Sequence, residues 1–73
     1  MKRYANRSRN SGVVAYENGP DYIRLLFRDK PDVYTYSERS AGKSNVERMK
    51  RLALEGEGLT AFVTRNVRDK FER

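Results

Sequence analysis

The chain has 73 residues, with neither Cys nor His, and 16 Lys+Arg against ten Asp+Glu give it a net charge of +6. A chain of this length makes one small domain, which buries only about 60% of the surface that its unfolded form exposes. The missing residue types exclude disulfides, zinc ribbons, cysteine nucleophiles and imidazole acid–base chemistry.

No apolar run reaches the roughly 20 residues of a membrane span, and Met1-Lys2-Arg3 leads into no apolar signal segment. The expectation is a cytoplasmic protein without cofactor or metal. Residues 1–10 hold Lys2, Arg3, Arg7 and Arg9 and no acid, whereas the rest of the chain carries twelve bases against ten acids. This stretch lacks hydrophobic periodicity and reads as a flexible basic arm ahead of a domain at 11–73. It is either a phosphate-attracting arm or a solubilising terminus.

Residues 11–16 (Ser-Gly-Val-Val-Ala-Tyr) read as a first strand. Asn18-Gly19-Pro20-Asp21 then signals a turn, with Gly19 expected at positive φ. Residues 22–28 alternate, with Ile23, Leu25 and Phe27 on one face and Tyr22, Arg24, Leu26 and Arg28 on the other. After a second turn at Asp29-Lys30-Pro31-Asp32, residues 33–37 make a third strand. Tight turns between consecutive strands imply an antiparallel meander.

The period then changes. Ser44-Asn45-Val46-Glu47 has the spacing of a capping box, and Val46, Met49, Leu52 and Ala53 fall on one helical stripe. Gly56 and Gly58 stop that helix. Leu59, Phe62 and Val63 begin a second stripe, which takes in Val67 and Phe71 if the helix runs unbroken past Asn66. The predicted fold is α+β: a three-stranded antiparallel β-meander followed by two α-helices packed on one sheet face.

The ordered set Ser11-Gly12-Val13, Tyr16, Phe27, Tyr34-Thr35-Tyr36, Gly56/Gly58, Phe62, Asn66-Val67-Arg68 and Phe71 resembles the KTSC domain family. That domain is found at the C-terminus of some lysyl-tRNA synthetases and alone in bacterial proteins. The resemblance covers about residues 11–71 and implies a β-β-β-α-α domain with a suspected role in RNA binding. Lys30-Pro31 replaces an Asn-Gly-like pair and Phe71 replaces a Tyr, which leaves the register of the second hairpin open.

Gly42-Lys43-Ser44 looks like the end of a phosphate-binding loop, but the first glycine of that motif would fall at Ser37. A loop plus N-cap accounts for it better. The Tyr34/Tyr36 pair turns on register. Pairing Arg28 with Val33 sets both tyrosines beside Leu25 and Phe27 in the core; a slip of one residue moves them onto the face of Tyr22, Arg24 and Arg28, where they would stack bases. The core arrangement is favoured because so small a domain needs large core side chains.

No pair of acids sits in an apolar setting that would shift a pKa, so the expected role is non-enzymatic. The candidate nucleic-acid residues are Lys2, Arg3, Arg7, Arg9, Tyr22, Arg24, Arg28, Tyr34, Tyr36, Lys43, Arg48, Arg51 and Arg68. They fit a module for tRNA or single-stranded RNA. The rival expectation is a protein-interaction module that pairs a sheet edge with another chain or with a second copy of itself.

Overall fold

The computed structural model describes residues 1–5 and 12–72. Four strands form one antiparallel sheet in chain order: β1 (Lys2–Arg3), β2 (Val13–Asn18), β3 (Tyr22–Phe27) and β4 (Val33–Ser37). The helices are a single turn α1 (Glu38–Ala41), the long α2 (Lys43–Glu55) and a short α3 (Leu59–Phe62) that passes into a π-helical turn, Val63–Val67. The protein is thus α+β, as the change of period indicates.

The additional strand comes from within the stretch expected to be an arm. Lys2 lies opposite Tyr16 and Arg3 opposite Ala15, and the next residue, Tyr4, is 3% exposed. The Tyr4 amide donates to the Val14 carbonyl at 3.0 Å, and its hydroxyl accepts from the Leu59 amide at 3.2 Å. The latter satisfies one of the donors that the start of a helix leaves unpaired. Residues 2–4 therefore belong to the folded domain. Arg7 and Arg9 lie outside the described residues.

β2 bulges between Val13 and Ala15. Beside the bulge, Thr60 Oγ1 of α3 accepts from the amides of Gly12 and Val13 at 3.2 and 3.4 Å, which ties the irregular end of the strand to the helical layer. In the first hairpin turn the Tyr22 ring lies over Gly19, and a side chain there would have to displace that ring. Gly19 is not among the glycines of positive φ; a Cβ there would lie 2.1 Å from the Tyr22 ring, which covers it. From α2, Lys50 Nζ donates to the carbonyls of Gly19 and Pro20 and holds this turn against the helices.

The β3–β4 register differs from the expected one by two residues: Leu26, not Arg28, lies opposite Val33, and Leu25 lies opposite Tyr34. A shift of two preserves side-chain parity, so the faces are as expected. Val13, Tyr16, Ile23, Leu25 and Tyr36 all turn toward the helices. There they meet Val46, Met49 and Ala53 of α2, Leu59 of α3, and Val63 and Val67 of the π turn in one continuous core.

The capping box does not form at Ser44. Residues 38–41 already turn as α1, capped by Ser37: its Oγ accepts from the Ser40 amide, and Ser40 Oγ accepts from the Ser37 amide at 3.1 Å. Gly42, at φ 95°, links α1 to α2 and serves as the α2 N-cap without a side-chain bond, while Asn45 Nδ2 donates to the Ala41 carbonyl at 2.8 Å. Gly56 ends α2 in the left-handed region at φ 82°, as the sequence indicates.

Candidate functional site

The aromatic residues concentrate at one end of the core face. Phe27 closes β3, Tyr34 lies on β4, and the chain returns after the π turn to bring Phe71 against both tyrosines. Ring centroids are 5.6 Å apart for Phe27–Tyr34, 4.8 Å for Tyr34–Phe71 and 6.1 Å for Tyr36–Phe71, all edge-to-face. This geometry suits the ring quadrupoles. Phe71 is held there by its neighbour: the Glu72 amide donates to the Thr35 carbonyl at 2.6 Å, and the Ser37 hydroxyl donates to the Glu72 carboxylate.

Between these rings and the π turn lies a cleft of about 360 Å³, whose lining includes Phe27, Tyr34, Phe71, Lys30, Arg68 and Asp69. Its size lies within the usual range for small-ligand sites, about 300–1,000 Å³. The π turn is a second mark of the site, because single π turns recur at functional positions. Its exposed Asn66 side chain donates to the Phe62 carbonyl at 3.1 Å and so satisfies a backbone acceptor of the preceding turn.

Tyr34 is half-buried at the cleft, whereas Tyr36 is 2% exposed and both faces of its ring are taken by protein. Tyr36 is therefore a core residue whose edge borders the cleft, in line with the favoured core arrangement, and it leaves the stacking candidates. Burial pushes its hydroxyl up to about 12, with further contributions from Tyr34 and Asp69, so it stays a neutral donor.

The remaining candidates fall into three groups. On the opposite sheet face, Arg24 packs over the Tyr22 ring at 5.0 Å and meets Glu17 at 3.8 Å, so its charge is shared with an acid and its stacking partner with Gly19. Arg3 lies on that face at the β1 edge, and Arg28 is exposed just past β3. Lys43, Arg48 and Arg51 are exposed along α2, and Lys2 is exposed on β1. Of the candidates among the described residues, Tyr34, Tyr36 and Arg68 line one cavity.

Phe27, Lys30, Val63, Thr64, Asp69 and Phe71 complete the cleft and are not among the predicted site residues. The alternation of β3 sets Phe27 on the correct face, but nothing local links it to a residue as far along the chain as Phe71. Among the described residues no group of three or more acids gathers as a metal site, and no helix is long and apolar enough to cross a membrane. Comparison of the chain with protein-family models, curated proteins and solved structures finds no match.

Proposed function

We propose that this protein is a small non-enzymatic RNA-binding module that takes an unpaired base into the aromatic cleft. One observation carries this reading: Phe27, Tyr34 and Phe71 line a cavity that Lys30 and Arg68 also line, in a chain of net charge +6. Single-stranded RNA is bound by aromatic rings that receive splayed bases and by cations that neutralise the flanking phosphates. Phe71 and Tyr34 supply the first, Lys30 and Arg68 the second. The KTSC resemblance supports the same role, and Arg3 adds positive charge on the opposite sheet face.

Strand addition at the sheet edge is the less favoured reading. The Thr35 carbonyl on β4 already accepts from Glu72, the Ser37 amide donates to Ser40 Oγ, and β1 at the other edge is two residues long. Short or covered edges discourage pairing with a second chain.

The test is fluorescence anisotropy with a labelled single-stranded RNA and a tRNA at about 50 and 200 mM salt. Affinity should fall as salt rises. The double variant Lys30→Ala/Arg68→Ala should reduce the log–log salt slope by about 1.4, the value for two lost contacts to a single strand. An absence of binding at the lower salt would overturn the RNA reading; binding with an unchanged slope in the variant would move the phosphate contacts away from the cleft.

A further inference from the structure

The sheet has a second face, turned away from the helices. Side chains alternate along a strand, so with Tyr16, Leu25 and Tyr36 in the core, Ala15, Glu17, Arg24 and Leu26 point outward. The register sets Glu17 of β2 opposite Arg24 of β3, and Ala15 opposite Leu26. The Glu17 carboxylate and the Arg24 guanidinium meet at 3.8 Å, yet their side chains remain 42% and 45% exposed. Among the described residues, Met1 and Val33 are two of the three exposed large apolar side chains, and both border this pair. A carboxylate at the centre repels phosphate, so this face suits a protein surface better than a nucleic acid.

We propose that this outer face pairs with the same face of a second copy of the chain, Glu17 of each copy meeting Arg24 of the other. The match follows from a two-fold axis in the interface, parallel to the strands and midway between the central strands β2 and β3. Such an axis lays β2 of each copy over β3 of the other, so every cross-strand pair meets its own reverse. Glu17 then faces Arg24 twice, and the four charges alternate in sign. Ala15 faces Leu26 of the other copy, small against large, as interdigitating sheet faces require. Each ion loses water but gains a second counter-ion, so none is buried alone. The face is small. With strands about 4.8 Å apart and about 3.3 Å per residue it covers roughly 15 by 17 Å, well below the roughly 800 Å² per partner of a standard interface. The dimer is therefore weak and set by concentration. The aromatic cleft lies on the other side of the sheet and stays open in both copies, so this inference stands apart from the RNA reading.

The experiment is sedimentation velocity of the full chain at about 150 mM salt, from about 10 μM to about 1 mM protein. The mean mass should rise from one chain toward two across that range. Glu17→Arg and Arg24→Glu each set like charges face to face, and each should weaken association about tenfold or more. An equimolar mixture of these two variants should associate again, because every acid of one copy then faces a base of the other. Loss of the fold in either variant, checked by circular dichroism, could not produce that recovery. A wild type that stays monomeric to about 1 mM would overturn the proposal. So would variants that associate as the wild type does, or two folded variants that fail to associate when mixed. Amide NMR shifts at Ala15, Glu17, Arg24 and Leu26 should follow chain concentration; shifts that follow added RNA instead would give the face to RNA and overturn the dimer.

Discussion

Tyr4→Ala is expected to leave much of the protein unfolded at room temperature. The side chain is 3% exposed, belongs to the main core and accepts the Leu59 amide hydrogen bond at 3.2 Å. Truncating a buried large aromatic costs about 3–5 kcal/mol, and a domain of this size has roughly 4–11 kcal/mol in total. Tyr4→Phe keeps the ring and removes only the acceptor, so it should cost about 1–2 kcal/mol through the orphaned Leu59 amide. Urea titrations followed by circular dichroism would show three ordered midpoints: wild type, then Tyr4→Phe, then Tyr4→Ala. A Tyr4→Ala midpoint equal to wild type would mean that the first strand and Tyr4 contribute nothing to the fold.

Raising the pH above about 10 should destabilise the protein. Burial raises the Tyr36 phenol to about 12, and burial likewise raises Tyr4, against the opposing bond from Leu59. Both shifts favour the neutral phenol in the folded state. Their stabilisation is fully present below the unfolded value of about 10 and is lost as pH rises from there through about 12. For Tyr36 the loss amounts to about 2 kcal/mol over that interval. Urea midpoints measured from neutral pH up to about pH 11.5 should fall mainly in the last stretch, together with the rise of tyrosinate absorbance. Tyr36→Phe should flatten the decline. A midpoint constant from pH 9 to about 11.5 would show that neither phenol is held in an ionisation-sensitive setting.

Much of this fold is legible in the sequence where side-chain period alone decides. The alternation Ile23, Leu25, Phe27 defines β3 and its buried face. The stripe Val46, Met49, Ala53 defines α2, and Gly56 ends it in a conformation that side chains resist. β1 escapes because two charged residues carry no period, and what anchors them is Tyr4, whose partner Leu59 lies near the other end of the chain. The capping box at Ser44 misleads because the one-turn α1 places Ser44 inside an already started helix; the working box is Ser37 with Ser40. The cleft is the least legible part. It depends on Phe71 returning to Tyr34 and on Lys30 of the second turn lining the same cleft as Arg68, which is packing between segments and not a pattern within one.

The joining of both chain ends to the sheet has a consequence for the order of folding. The hairpins β2–β3 and β3–β4 link neighbouring segments and close short loops, whereas Tyr4 to Leu59, Gly12 to Thr60 and Glu72 to Thr35 each close a long one. Long closures form late, because their entropy must be overcome before the contact rewards it. The meander and α2 are thus expected to form the folding nucleus, with the two ends fastening later. Weakening a fastening leaves the folding rate nearly unchanged and speeds unfolding. Substitutions at Tyr4, Thr60 and Phe71 should therefore shorten the lifetime of the native state more than they slow its formation.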